Sequence, residues 1–394
     1  MDVNDFQDNC PGKLIKIPEG VFAFVPDSLP PINFEIDLKL VNMLSKADHA
    51  IGELDGVGIT IPNPHFLIGP LSKREALMSS KLEGTITTAE ELFIFDAQGE
   101  KSKARDETRE VSNYVKALEY GLARLKDLPL SNRLICEIHA KLMEGVRGQE
   151  YNPGDFRRHQ NFIGIKGQQI SEARFVPPPV NEMINALNKL ELFYHADNDI
   201  PPLIKLALIH YQFETIHPFM DGNGRIGRLL ITLLLCSWKR LYNPFLYMSS
   251  YFERYKEQYR DLMLQVSQKS KWNEWFEFFL DGVVIQSYDA IARSIRLLKL
   301  KEQYREKIKT KRTSALQLKL IDELFFSPII SISRASKVMG VTFMAAQNNI
   351  NKLVEAEILR EATGRTRDRI YIASELIDVI NRDSFDRNEL GSTQ

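Results

Sequence analysis

The stretch whose reading decides the fold is TIHPFMDGNGRIGRLL, residues 215–230. It sets an imidazole, His217, and a carboxylate, Asp221, ahead of a Gly-Asn-Gly turn that opens into an apolar run, IGRLLITLLLCSW, at 226–238. Gly222 and Gly224 allow positive φ and close backbone approach, so successive N–H groups can face one anion, and the following helix adds its positive end. Arg225 and Arg228 are three apart, hence neighbours on the first helical turn, where two guanidiniums can clamp a polyphosphate. Asp221 supplies a hard oxygen suited to Mg²⁺ shared with phosphate oxygens. His217, titrating near neutrality, can accept a proton from an attacking hydroxyl. Each part alone is commonplace, but chance assembles all eight fixed positions of H-x-F-x-D-G-N-G-R-x-x-R in such a chain with a probability on the order of 10⁻⁸.

Outward from this string the text is helical. The apolar run is far shorter than the roughly 20 residues needed to span a bilayer, so it is expected to be a buried core helix. Apolar residues three and four apart predict helices over 34–54, about 107–126, 131–145, 180–195, 201–214, 251–266 and 272–308. Another is expected in LSKREALMSSKLEG, with Ser72 as N-cap and Gly84 just past the end, and a short one from Thr87 or Thr88. Residues 156–179, FRRHQNFIGIKGQQISEARFVPPP, mix β-branched and aromatic residues around a Gly-bearing turn and close on three prolines, which predicts a small β-hairpin. Residues 299–312 carry seven Lys or Arg against two Glu and are expected to form an exposed basic connector. Beyond them, 316–326, 332–341 and 343–359 are helical by pattern and RIYIA reads as a strand. That order resembles a winged helix-turn-helix, with Thr342 capping its third helix and TGRTRDR (363–369) as the wing.

Composition narrows the function classes. At 394 residues the chain is long enough for two or three domains, and its net charge of −1 leaves no global field to attract nucleic acid or anionic membrane. Cys10, Cys136 and Cys236 are far apart with no C-x-x-C, which predicts neither a disulfide framework nor a thiolate zinc site and suits a reducing, cytoplasmic compartment. The opening MDVNDFQDNCPGK is acidic and polar where a secretory signal is basic and then apolar. No G-x-x-x-x-G-K-[ST] and no H-E-x-x-H occurs, so P-loop and zincin chemistry are set aside.

HPFMDGNGRIGR resembles the signature of the Fic (filamentation induced by cAMP) domain, with every fixed position present. The resemblance covers roughly residues 30–290. It implies a mainly α fold, a Fic-type helical domain with a small β-hairpin flap, and transfer of AMP from ATP to a hydroxyl side chain (Tyr, Thr or Ser) of a target protein. Its cofactors would be ATP, as substrate, and Mg²⁺. Carried over, it makes His217 the general base, Asp221 the Mg²⁺ ligand, Asn223 with the Gly222 and Gly224 backbone the anion hole, and Arg225 and Arg228 the clamp on the outer phosphates. Phe219 would be buried and hold the loop. Tyr259 matches loosely a tyrosine that some relatives place at the nucleotide. Ser79, Glu83 and Gly84 resemble the family's inhibitory helix motif, [ST]-x-x-x-E-[GN], whose Glu reaches the second signature arginine, here Arg228. A glutamate in the last turn of a helix faces the negative end of the macrodipole, so a cationic partner offsets a local cost. The isolated enzyme is therefore expected to be slow. The flap at 156–179 would register a target segment by main-chain pairing, and a homodimer is implied by the family alone.

The implied organisation is an N-terminal region with the inhibitory helix (1–104), the catalytic domain (105–298), the connector (299–312) and the winged helix-turn-helix with its tail (313–394). Two alternatives stand beside adenylylation. One is removal of AMP at the same site, with Glu83 activating water. The other is a nucleotide-sensing regulator that binds DNA through 313–375, for which Arg360, Arg365, Arg367 and Arg369 cluster at the wing. Against DNA binding, AAQNNINKLVEAEIL has one Lys and two Glu in the recognition-helix position. No membrane role is expected.

Overall fold

The computed structural model of the chain describes residues 1–32, 35–61, 63–98, 105–165, 167–309, 315–362 and 369–382. A short antiparallel hairpin opens it, β1 (Gly12–Lys16) against β2 (Phe22–Pro26) with Leu14 opposite Phe24. Helices α1 (Leu38–Thr60), α2 (His65–Leu82) and α3 (Ala89–Gln98) follow, then α4 (Asp106–Arg124) and α5 (Asn132–Leu142). After the 156–179 segment come α6 (Val180–His195), α7 (Pro202–Ile216) and α8 (Asn223–Ser237), then α9 (Ser249–Arg254), α10 (Lys256–Lys269) and α11 (Trp272–Lys307). The C-terminal module is α12 (Ala315–Phe326), β3 (Ile329–Ser331), α13 (Ile332–Met339), α14 (Phe343–Glu355), β4 (Arg360–Glu361), β5 (Ile370–Ile372) and α15 (Ser374–Asn381). Its three strands form one antiparallel sheet with β5 in the middle.

The helix starts follow capping chemistry. Asp37 accepts from Leu40 N at 2.7 Å, Ser131 from Leu134 N at 3.3 Å and Thr342 from Ala345 N at 3.4 Å. At α3, Thr88 Oγ1 accepts from Glu91 N while Glu91 returns a carboxylate to Thr88 N, a reciprocal capping box. Every residue of α7 after its Pro202 is buried, and so is nearly all of α8. Helices buried on every face lie in the middle of a core even though they carry polar residues such as Glu214, Arg225 and Arg228, and this pair is what α2, α4, α5, α6 and α11 surround.

Four expectations change. Ser72 does not cap α2: the helix begins at His65, passes through Pro70, and the Ser72 hydroxyl donates to Gly69 O at 3.0 Å. Residues 156–179 fold back on themselves, but among the described residues their pairing is one antiparallel bridge, Ile163 N donating to Phe175 O at 2.8 Å and Phe175 N to Ile163 O at 3.2 Å, with Phe24 N of β2 donating to Val176 O beside it. That N-terminal hairpin was not anticipated. Of the expected exposed connector, residues 299–307 are the last stretch of α11, a 36-residue helix about 54 Å long at 1.5 Å per residue, and 310–312 lie outside the described residues. Leu300, Tyr304 and Ile308, four apart, form a buried stripe inside its basic text, and Tyr304 packs on Phe325 of α12 with ring centroids 6.0 Å apart. The C-terminal module is thereby seated on the helical body. Of the expected wing, residues 363–368 lie outside the described residues.

Candidate active site

The loop between α7 and α8 is built by its backbone. His217 ends α7 with φ 50° and Gly222 precedes α8 with φ 81°, two left-handed residues that reverse the chain within six positions. Between them Phe219 is fully buried, stacked on His139 with centroids 3.8 Å apart and planes 6° apart. Asn223 braces the loop: its Oδ1 accepts from Phe219 N and its Nδ2 donates to Phe219 O, both at 2.7 Å. One amide hydrogen is thus spent on the backbone, the second Nδ2 hydrogen is left over, and Asn223 stands in the wall of the cavity where the anion hole is expected. The Gly222 N–H is itself engaged, donating to Asp221 Oδ1 at 2.6 Å while that carboxylate stays in place, so the Gly224 N–H and the start of α8 are the backbone donors left open for that role.

His217 is half-buried, and its Nδ1 donates to Glu214 O at 3.1 Å, which leaves Nε2 as the unprotonated nitrogen. Burial, outweighing the Glu214 carbonyl, pushes its pKa down to about 4, so the ring is neutral at physiological pH. Two residues that the sequence reading missed hold its carbonyl: Arg157 Nε donates to His217 O at 3.0 Å and Asn161 Nδ2 at 3.2 Å. Arg157 also donates to the carbonyls of His159 and Pro178, and Asn161 to Phe219 O at 2.8 Å. The polar run RRHQN inside an otherwise apolar segment was the available signal. His139, also unforeseen, accepts at Nδ1 from Gly154 N and donates from Nε2 to Asp221 O, pinning the loop from α5.

The two arginines diverge. Arg228 turns to α2, donating from Nε to Ser79 Oγ at 2.8 Å and from Nη2 to Ser79 O at 3.0 Å and to Glu83 Oε1 at 2.6 Å. Arg225 turns away to α4 and α5, with Glu110 at 3.6 Å, Asp221 at 3.5 Å and Met143 Sδ at 3.5 Å, and it is absent from the cavity wall. Of the two arginines expected to form a paired clamp, only Arg228 therefore lines the cavity. Residues three apart on a helix diverge by roughly 60°, and α8 sits between α2 on one side and α4 with α5 on the other, so each arginine met a different carboxylate.

Glu83 caps α2 and Gly84, φ +87°, closes a Schellman pattern: Gly84 N donates to Lys81 O at 2.9 Å and Thr85 N to Ser80 O at 3.0 Å. That turn aims the Glu83 carboxylate at the start of α8, so close that a Cβ on Gly224 would run into its Oε1. Burial raises the Glu83 carboxyl, but the Arg228 guanidinium overrides it and the carboxyl ends below its ordinary value. Glu214, another unforeseen group, lies buried against Gly227. Burial lifts its pKa to about 7, Arg228 opposes the rise and Glu83 adds to it. Tyr259 is buried, on the cavity wall, and its hydroxyl meets His210 Nε2 at 2.8 Å, so it belongs to the core as much as to the site.

These groups line a cavity of about 620 Å³ whose wall includes Glu83, Glu214, His217, Asp221, Gly224, Arg228 and Tyr259, with Ile163, Gly164 and Phe175 of the 156–179 segment along one side. A volume of this size suits a nucleotide-sized ligand. Asp221, its side chain 36% exposed, is the one carboxylate of the signature facing it. No group of three His, Cys, Asp or Glu side chains among the described residues could cage a metal. A single exposed carboxylate fits Mg²⁺ brought in by phosphates, since that ion keeps most of its shell as water and phosphate oxygen.

Residues 41–123 match the family described as Fic/DOC family N-terminal, and residues 129–235 match the Fic/DOC family. Over 159 residues the chain is 31% identical to "Protein adenylyltransferase Fic" of Drosophila grimshawi and 30% identical to that of Drosophila mojavensis. Each match takes in 39% of this chain but 31% and 30% of those relatives, so the chain spans about a third of their length. A Fic family protein from Desulfovibrio desulfuricans of known crystal structure superposes with a TM-score of 0.56 at 20% identity, covering 86% of this chain and 97% of that one. Among the described residues no helix is long and apolar enough to cross a membrane. With its signature loop between α7 and α8 and the family's N-terminal region ahead of it, this chain is a Fic domain protein.

Proposed function

We propose that the chain is an autoinhibited protein adenylyltransferase that moves AMP from ATP to a hydroxyl side chain of a target protein and of itself. The observation that carries this reading is the 2.6 Å Arg228–Glu83 pair, which places a carboxylate of α2 on the phosphate end of a nucleotide-sized cavity beside a neutral His217. His217 Nε2 takes the proton of the target hydroxyl as its oxygen attacks the α-phosphorus; the bond to the β-phosphate oxygen breaks and pyrophosphate leaves. The backbone at Gly224 and the positive end of α8 stabilise charge on the phosphoryl oxygens. Arg228, once freed, reads the outer phosphates. Mg²⁺, held by Asp221 and the phosphates, would neutralise charge there. While Glu83 holds Arg228, ATP lacks its outer clamp and lies in a pose from which transfer is slow.

The target segment is read along the Ile163–Phe175 segment, with Tyr, Thr or Ser as acceptor. The three cysteines, all free thiols, suit a reducing, cytoplasmic setting. The test is incubation with Mg²⁺ and ATP labelled at the α- or γ-phosphate, with self-modification as readout. Weak α-label in wild type, strong in Glu83→Gly and none in Glu83→Gly/His217→Ala supports the reading. No incorporation of either label by a Glu83→Gly protein that still binds ATP sinks it.

A further inference from the structure

Glu83 sits between two helices, and the C-terminal module grips both. Upstream of it, Phe66 of α2 meets Phe325 of α12 edge-on at 6.3 Å, with Lys301 Nζ 4.5 Å over the Phe66 ring. Downstream, Arg360 of β4 reaches Glu90 of α3 at 3.4 Å, and α3 also packs against β3 and α15. A buried polar chain joins the two bodies more deeply. Arg293, fully buried on α11, donates from Nη1 to the carbonyls of Val379 and Ile380 at 2.7 and 2.6 Å, in the last turn of α15. Its Nη2 meets both oxygens of Asp289 at 3.1 and 2.9 Å. Asp289 in turn lies 3.7 Å from Nη1 of Arg74, on α2, and Arg74 also donates to Ser250 Oγ. The path from the α15 carbonyls through Arg293, Asp289 and Arg74 ends on the helix that carries Ser79 and Glu83, little more than two turns away.

Arg293 satisfies the last carbonyls of α15, where a cation also suits the helix dipole. Through Asp289 the same network reaches Arg74 on α2, which α15 also packs against directly, and a helix is stiff enough to carry a displacement along its axis. We propose that Arg74, Asp289 and Arg293 are positioning residues through which the seated C-terminal module keeps α2 in the register that places Glu83 on Arg228. The module then acts as the support of the inhibitory latch, and a partner that lifts α12 or α15 frees Arg228 without touching the active site. This rests on the adenylyltransferase reading above and adds what controls it.

The test uses the full chain with Arg293→Met, which removes the α15 cap but leaves Asp289 paired with Arg74. Self-incorporation of α-label from ATP is compared in the wild-type and Glu83→Gly backgrounds, together with amide exchange over residues 79–85. The expected result is a rise of about fivefold or more in the wild-type background, the lower end of coupling between sites, with faster exchange at 79–85 and a change under about twofold beside Glu83→Gly. A rise that persists in the Glu83→Gly background, a fall in both, or unchanged exchange at 79–85 in a folded variant overturns the proposal. If Arg293→Met does not fold by circular dichroism, Phe325→Leu goes through the same comparison. If Glu83→Gly itself takes up no label, the transferase reading has failed, and exchange at 79–85 alone decides whether the module holds α2.

Discussion

Replacing Glu83 by Gly tests the latch, and its size can be worked from the contacts. Arg228 keeps two bonds without Glu83, to Ser79 Oγ and Ser79 O, so the guanidinium stays in place and only the third, charged bond is lost. A hydrogen bond between charged groups contributes about 1.5–3 kcal/mol. Here one partner is 2% exposed and the other 38%, so water screens the pair and about 2 kcal/mol is the appropriate figure. That free energy is what ATP must overcome to engage Arg228, and at 1.36 kcal/mol per decade it corresponds to about a 30-fold gain in α-label incorporation. Glu83→Gln keeps a neutral bond about 1 kcal/mol weaker and should gain about fivefold. The sign of the pH dependence follows from the depressed Glu83 carboxyl: the pair is complete above the ordinary carboxylate range and is lost only as pH falls below that range. The Glu83→Gly to wild-type ratio should therefore be constant between about pH 6 and about pH 8. Equal rates for wild type, Glu83→Gln and Glu83→Gly, with ATP binding intact in all three, would refute the claim that this contact limits turnover.

Three further expectations follow from the same groups. In the Glu83→Gly background, the rate should be flat above neutrality and fall only as His217 protonates near its value of about 4; a limb at the ordinary histidine value would mean the ring is not desolvated. Glu214, lifted to about 7, binds more protons folded than unfolded, so its share of stability is present at low pH and drains away as pH rises through neutrality. Thermal melts of Glu214→Gln should thus exceed wild type at about pH 8 and converge on it near pH 5, and a gap independent of pH defeats the assignment. Arg157→Met removes donors to three carbonyls, including that of His217, and should cost about 3 kcal/mol of stability and about tenfold in the Glu83→Gly rate. Arg157→Lys should rescue neither, since one ammonium cannot span all three carbonyls.

What could be read from the chain was what depends on neighbours in sequence. The positive-φ turn at Gly222, the cap at Thr342 and the Gly84 terminus are properties of a few consecutive residues, and each stands where its local chemistry put it; the burial of Phe219, against His139 of α5, was legible only through the family resemblance. The apolar run at 226–238 could only be a core helix, and it is. Elements whose identity depends on a distant partner were not legible. The 156–179 segment has strand-like composition, yet its own pairing stops at the Ile163–Phe175 bridge, and the next carbonyl, Val176 O, is taken by Phe24 N of β2, about 150 residues upstream. Likewise the basic residues of 299–312 concealed a stripe at 300, 304 and 308 whose meaning appears only once α12 lies against it.

The same distinction operates inside the site. Identity at positions 225 and 228 says that two guanidiniums leave the first turn of α8, and nothing in that spacing says where they go. Tertiary packing put Glu83 beside one and Glu110 beside the other, so that, on the proposed reading, the expected pair of clamps becomes one arginine that Glu83 can hold or release and one that braces the loop through Asp221. Regulation of this kind needs the asymmetry. If both arginines faced the cavity, a single carboxylate could neutralise only half of the outer-phosphate clamp, and ATP could still be held by the other. With Arg225 committed to Glu110 and Asp221, Glu83 confronts a single cation, and under the proposed inhibition one side chain would suffice to close the site.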